Sequence, residues 1–277
     1  RDCGGCGVHQ LVSERPMNGN RDRRFIDERR RSSDYFPAPP AFNVLTDVPH
    51  LKAWYRADTV VLATGVSQLT DKSGNGYHYL QATGGKQPAQ VLAASDPNGF
   101  DCVVSDGVDD GMVHTGFGAL TGLTFFVVSR SIVTPAATGN LICIGNSSAA
   151  QSVQVIVATS GAFQTRYQNP GSTATTYNFG VTAPVSGSDI IVSSVVASTQ
   201  TNVLTGKMGN VPVGSQVSTN ATPSTIASIA SGLFASQTAA AQYLAAGLYE
   251  LIVCDDVLTD AEVSIVNQGL ITSYELF

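Results

Sequence analysis

The sequence predicts an all-β sandwich, with an extended arm ahead of it and one short helix closing it. Three observations carry this prediction. From Leu51 onward the chain is a series of short runs rich in Val, Ile, Phe, Tyr and Thr: LKAWYRA, FDCVVS, LTFFVVSRS, LICIG, SVQVIVA, AFQTRYQ, DIIVSSVVAS and YELIVC. Clusters of Gly, Asn, Ser and Pro separate these runs at intervals that suit a sandwich. The closing stretch LTDAEVSIVNQGLITSYELF abandons the strand period for a helical one.

The arm comes first in the chain, over residues 1–45. RDCGGCG is too rich in glycine for regular structure, and RPMNGNRDRRFIDERRRSSDYFPAPPAF alternates charges before ending in prolines. Pro37, Pro39 and Pro40 stiffen the exit as a polyproline-like spacer. A short helix over Arg21–Arg31 would place Asp27 and Arg31 four residues apart, but Phe25 and Ile26 are too little apolar surface to pack alone. The segment therefore reads as an assembly arm that orders against partner subunits. Phe25, Ile26, Tyr35 and Phe36 would be its apolar anchors, and Arg21, Arg23, Arg24, Arg29, Arg30 and Arg31 its ion-pairing strip. Asp22, Asp27, Glu28 and Asp34 nearly cancel those arginines, so no strong nucleic-acid footprint is expected.

The sandwich is expected over residues 46–277 as a single domain. Several of its runs alternate; in SVQVIVA, Val153, Val155 and Val157 share one face. Cys102, Cys143 and Cys254 lie singly inside strand-like runs, where a thiol acts as a small buried hydrophobe. DKSGNGYH, residues 71–78, sits between two strand-like runs. Asp71 and Ser73 can bond nearby amides, and Gly74, Asn75 and Gly76 tolerate positive φ, so the segment predicts a hairpin connection. A phosphate cradle would need a helix directly after it, and the chain returns to a strand instead. In the closing helix Thr259 and Glu262 form a capping box, and Val263, Val266, Leu270 and Tyr274 fall on one face. Gly269 interrupts that pattern with a poor helix former.

Composition limits what the chain can do. Of 277 residues 13% are charged and 43% hydrophobic, which excludes a disordered chain and a nucleic-acid-coating one. The net charge of -6 is uneven: residues 1–36 hold eight arginines against six acidic residues, so the body is acidic. The longest apolar runs, such as Leu123–Val128, are too short to cross a bilayer. A start at Arg1, with no signal-like segment, reads as a processed or truncated terminus, and the single thiols suit assembly in a reducing cytoplasm.

The order of motifs is itself distinctive: LKAWYRAD, then VSQLTDKSGNGYHYLQAT, QPAQV and FDCVVSDGVDDGM, and late in the chain GLYELIVCDDVLTDAEVSIVNQGLITSY. It resembles the laminin-G-like, concanavalin A-type jelly-roll domains found in many bacteriophage structural proteins and bacterial surface proteins. Those domains share a Trp-containing opening strand, an Asp-x-Ser-Gly-Asn-Gly-x-His turn, an Asp-Gly-x-x-Asp turn and a Glu-bearing closing strand before a capped helix. Trp54, Asp71, Ser73, Gly74, Asn75, Gly76, His78, Asp106, Gly107, Asp109, Glu250 and the Thr259–Glu262 box fit that pattern over about residues 50–277. Residues 130–240 match in general character only, and the arm not at all. The resemblance implies a concanavalin A-like jelly roll and leaves the ligand open.

Glucanases of this fold carry catalytic carboxylates two and four residues apart on one strand, and no such pattern is present; the body's glutamates are Glu250, Glu262 and Glu275. No catalytic residues are therefore expected. Asp106, Asp109 and Asp110 in SDGVDDGM could serve a calcium ion, although Asp-Gly pairs are ordinary turn formers and that reading is preferred. Cys3, Cys6 and His9 have zinc-like spacing without a fourth ligand, which His50 or another chain could supply; a flexible turn with idle thiols or a disulfide is preferred. No cofactor is otherwise called for.

The expectation is a non-enzymatic bacteriophage virion protein, serving capsid decoration, fibre or tail attachment, assembled in the host cytoplasm. Its arm would anchor it to other virion proteins or copies of itself, with the sandwich displayed outside. The alternative is a glycan-binding module of a bacterial surface protein, needing a face with aromatic and polar groups; Tyr167, Tyr177 and Phe179 are candidates for it.

Overall fold

A computed structural model describes residues 41–120, 122–131, 137–145, 152–168, 175–182, 191–198, 203–208, 211–217, 226–228, 230–235 and 242–275. The arm residues from Cys3 to Phe36 singled out above lie outside these. One compact unit runs from Phe42 to Phe277. It opens four residues ahead of the expected 46, because Asn43 caps a one-turn helix α1 (Val44–Asp47) whose Val44 is buried.

Eighteen strands follow among the described residues. The first seven are β1 (Leu51–Leu62), β2 (Val66–Asp71), β3 (Tyr79–Leu80), β4 (Ala89–Val91), β5 (Cys102–Val104), β6 (Met112–His114) and β7 (Gly118–Leu120). Then come β8 (Gly122–Ser131), β9 (Gly139–Gly145), β10 (Ser152–Val157), β11 (Ala162–Gln168) and β12 (Thr175–Thr182). The last are β13 (Ile191–Ser198), β14 (Val203–Met208), β15 (Val211–Val217), β16 (Ile226–Ser228), β17 (Ser231–Leu233) and β18 (Ala246–Cys254), before helix α2 (Asp260–Ser273).

The strands form one curled antiparallel path, β12-β11-β10-β9-β17-β6-β3-β2-β1-β18-β8-β13-β14-β15. β4 and β5 hang on β18, and β16 pairs β7 separately. Within the path, the register of β1 against β2 slips between Tyr55 and Val60; extra residues on one strand bend it and increase its twist. The result is the jelly-roll β-sandwich of concanavalin A-like type that the sequence predicts.

Strand burial explains the sequence pattern. Phe125 and Val127 of β8, with Leu251 and Val253 of β18, pack inside the sandwich. The alternate residues Phe126, Val128, Ile252 and Cys254 join a second core under α2. Strands covered on both faces must be apolar throughout, which is why LTFFVV and LIVC do not alternate. The same holds for β10: Val153, Val155 and Val157 face the main core as expected, yet Gln154 and Ile156 are buried as well. Cys102, Cys143 and Cys254 are buried, in the hydrophobe role expected of them.

α2 closes the second core. Thr259 Oγ1 accepts from the Glu262 amide at 3.3 Å, and Glu262 Oε2 accepts from the Thr259 amide at 2.7 Å, so the capping box forms in both directions. Val263, Val266, Leu270 and Tyr274 are all buried; full burial of each aliphatic chain contributes about 1.5–3 kcal/mol. Gly269 is explained by its neighbour, since a Cβ there would run into the ring of Phe42. The residue least suited to a helix is the one that lets a ring lie against it.

Candidate functional site

Four clusters bring polar or ionisable groups together among the described residues. The first is the DKSGNGYH turn, which does join β2 to β3 as a hairpin, pairing Gln68 with Leu80 and Leu69 with Tyr79. Its organiser is the buried Asp71. Oδ1 accepts from the amides of Trp54 (3.0 Å) and Ser73 (2.9 Å), while Oδ2 accepts from the Ser73 hydroxyl (2.9 Å) and the Tyr77 amide (3.1 Å). The Asp71 amide donates to His78 Nδ1 at 3.0 Å. Asn75 Nδ2 donates to the Lys52 carbonyl at 2.9 Å, and Gly74 and Gly76 take φ of 89° and 80°. Asp71, Ser73 and Asn75 hold the loop against β1, and His78 and the two glycines shape it, so the turn is a staple of the fold.

The second cluster was not foreseen. Glu250 on β18 is buried, and its Oε1 accepts from Trp54 Nε1 at 2.6 Å while Oε2 accepts from the Tyr274 hydroxyl at 2.9 Å. Burial raises its pKa, opposed by those two donors and by Arg56 and Lys72. Lys72 lies over the Trp54 ring at 4.7 Å and pairs with Asp58 at 3.6 Å; Arg56 pairs with Asp58 at 3.5 Å. One carboxylate thus ties the opening strand, the closing strand and the helix together.

The third lies beside it. Arg130 on β8 pairs with the buried Asp96 at 3.0 Å. Asp96 Oδ1 accepts from the Tyr249 hydroxyl (3.0 Å) and the Asn98 amide (2.9 Å), and Asn98 Nδ2 donates to the Tyr249 hydroxyl (2.8 Å). This latch fixes the loop between β4 and β5. Cys102 sits within it, and burial pushes its thiol up to about 12, which makes it inert as a nucleophile.

The fourth is the acidic turn. Asp106, Asp109 and Asp110 do come together, each offering an oxygen within 4.8 Å of the others, an arrangement that suits a hard divalent cation. Two of the three also close their own turn. Asp110 Oδ2 accepts from the Asp106 amide at 3.0 Å, and Asp106 Oδ1 accepts from the Val108 amide at 2.8 Å, with Gly107 at φ 77°. Burial, more than its acidic neighbours, raises the Asp110 pKa. Cys3, Cys6 and His9 lie outside the described residues, and His50, named as a fourth zinc ligand, faces Asp256 at 3.5 Å.

The second and third clusters share a wall. Between them opens a cleft of about 220 Å³ lined by Arg56, Ala57 and Asp58 of β1, Ala93, Gly99, Phe100 and Asp101 of the loop, and Tyr249 and Tyr274. Phe100 meets both tyrosines edge to face, 4.8 Å from Tyr274 and 6.4 Å from Tyr249. Of the aromatic candidates from the sequence, backbone register pairs Tyr167 with Val153 and Tyr177 with Thr165, none of the three candidates lines this cleft, and the side chains of Tyr167, Tyr177 and Phe179 lie outside the described ones. LKAWYRAD does carry Trp54, Arg56 and Asp58 at alternate positions of one strand, the one sequence signal for this region.

No protein-family model matches the chain, and no curated protein matches it in sequence. Solved structures do. The binding domain of botulinum neurotoxin serotype D superposes with a TM-score of 0.59 at 9% identity, covering 83% of this chain and 53% of its own. The receptor binding domain of the botulinum neurotoxin C/D mosaic serotype gives 0.57 at 8% identity, covering 80% and 52%. Trypanosoma rangeli sialidase in complex with sialic acid gives 0.57 at 12% identity, covering 91% and 38%. The chain therefore spans about half the length of the toxin domains and less of the sialidase. At such identities the likeness establishes the fold alone: a jelly-roll β-sandwich.

Proposed function

We propose that the chain is a non-enzymatic binding module, a jelly-roll sandwich that recognises a glycan and is fixed to a larger assembly by its N-terminal arm. The observation that carries this reading is the cleft, where charged rim groups stand around the partly exposed ring of Phe100. The buried acids offer no general acid: Glu250 is held by two donors and Asp110 closes a turn. Glycan recognition is in keeping with the structural relatives. Botulinum neurotoxin type C depends on two ganglioside molecules for cell entry, and the trypanosomal sialidase holds sialic acid.

The carrier we propose is a phage particle assembled in the host cytoplasm, on the strength of the resemblance in motif order. The arm, residues 1–45, would be the attachment device, with Phe25, Ile26, Tyr35 and Phe36 as anchors. A glycan array probed with the full chain tests the binding reading, and incubation with a polysaccharide panel should release no reducing ends above buffer. Deleting residues 1–41, which leaves the folded unit from Phe42 whole, tests the arm: the truncated chain should keep a β-dominated circular dichroism spectrum and fail to enter particles. Full incorporation of the truncated chain would overturn the arm's role.

A further inference from the structure

We propose that the cleft between β1, the loop before β5 and α2 holds one neutral pyranose residue, the terminal hexose of a glycan; this rests on the binding-module reading above. Size sets the first limit. About 220 Å³ is room for roughly seven waters at about 30 Å³ each, enough for one sugar ring. Pockets for larger ligands run to about 300–1,000 Å³.

The lining sets the chemistry. Phe100, partly exposed and packed edge to face on the buried Tyr249 and Tyr274, offers the apolar surface for the C–H face of a pyranose. The rim offers the two things that sugar hydroxyls need: carboxylate acceptors on Asp58 and Asp101, and guanidinium donors on Arg56. These groups are not fully engaged within the protein. Asp101 Oδ1 accepts from the Ala93 amide at 2.7 Å, and Oδ2 makes no hydrogen bond among the described residues. Asp58 meets Arg56 at 3.5 Å and Lys72 at 3.6 Å, beyond the ~2.7–2.9 Å of a close charged pair. Hydroxyls can slot into such loose, partly exposed pairs without leaving a buried charge unpaired.

Charge sets the selectivity. With Lys72 beside Asp58, the two carboxylates of the cleft are balanced by two cations, so no surplus positive charge is left to pair with a sugar's own carboxylate, and a neutral sugar needs none. The chain would therefore differ in ligand from relatives that take sialylated glycans.

The test is saturation-transfer NMR and calorimetric titration of the full chain with methyl glycosides of glucose, galactose, mannose and N-acetylglucosamine, against N-acetylneuraminic acid. A neutral glycoside should bind, with transfer strongest on one ring face, and N-acetylneuraminic acid should bind at least ten-fold more weakly. Asp58→Asn and Arg56→Ala, both on the exposed rim, should each weaken binding about ten-fold. Ala93→Trp should abolish it by filling the cleft, with the rim variants carrying the test if that chain fails to fold. Neutral-sugar binding that survives all three variants would place the ligand elsewhere and overturn this inference while leaving the module reading intact. A preference for N-acetylneuraminic acid would overturn the charge argument. No binding to any glycan, here or on an array, would overturn the module reading and this inference with it.

Discussion

Trp54 Nε1 and Glu250 Oε1 meet at 2.6 Å across 196 residues of sequence, on paired strands where Trp54 sits opposite Ile252 and Arg56 opposite Glu250. The bond ties the first long strand to the last, and the Tyr274 hydroxyl extends it into the helix. Glu250→Ala should leave two donors without a partner, at about 1–3 kcal/mol each. Melting should fall by roughly 5–10 °C on the usual size scaling. Glu250→Gln keeps an acceptor for Trp54 and should lose less than half as much. Because burial raises the Glu250 pKa, its contribution is full below the ordinary 4.5 and is lost as pH rises through the folded value. Denaturation midpoints measured against pH should lose that slope in Glu250→Gln.

Asp71 offers a sharper contrast. Its carboxylate accepts four hydrogen bonds, three of them from backbone amides that no other side chain can reach. Asp71→Ala should cost about 3 kcal/mol or more and release the 71–78 loop. Hydrogen exchange at Ser73 and Tyr77 should rise well beyond the global change. An Ala variant with native protection at those amides would mean that the glycines alone hold the turn.

His114 should give the fold an acid limit. Its ring stacks on Phe117 at 4.7 Å and lies near Tyr77 and Tyr79, and its Nδ1 accepts from the Gly116 amide at 3.0 Å, so the buried imidazole is neutral. Burial lowers its pKa from 6.5 to about 4, helped by His78 and opposed by Asp71. A depressed folded pKa means that the stability it confers is complete above 6.5 and drains away as pH falls toward 4. The stability difference between the native chain and His114→Gln should shrink over that window. A constant difference would show that another group sets the acid limit.

The helix supplies two opposed substitutions. Thr259→Ala removes the cap acceptor and should cost about 1 kcal/mol, a drop of roughly 2–4 °C in melting temperature. Gly269→Ala ought to help on helix propensity by ~1 kcal/mol. It should destabilise instead, because the added methyl collides with the Phe42 ring. The companion variant Phe42→Ala should turn Gly269→Ala from harmful to neutral or favourable, which thermal melts of the double-mutant cycle will read directly.

Much of this architecture was legible because local signals decide it. The capping box, the Asx-type turn at Asp71 and the apolar stripe of α2 each depend on residues within a few positions of one another. The polar clusters were not legible. Glu250 with Trp54, and Arg130 with Asp96, pair through strand order in the sheet, and nothing local distinguishes a buried carboxylate from a solvated one. The cleft is a product of three segments converging, and only the alternate Trp54, Arg56 and Asp58 hinted at one of its walls.

The contact of Phe42 with Gly269 means that the unit is entered and left at neighbouring points, its first residue lying against its last helix. A sandwich arranged this way behaves as a cassette. It can be set into the loop of a host protein, or moved from one carrier to another, without stretching either junction. On the proposed reading, recognition and attachment would be free to change independently, the cleft following its ligand while the segment ahead of Phe42 follows its scaffold.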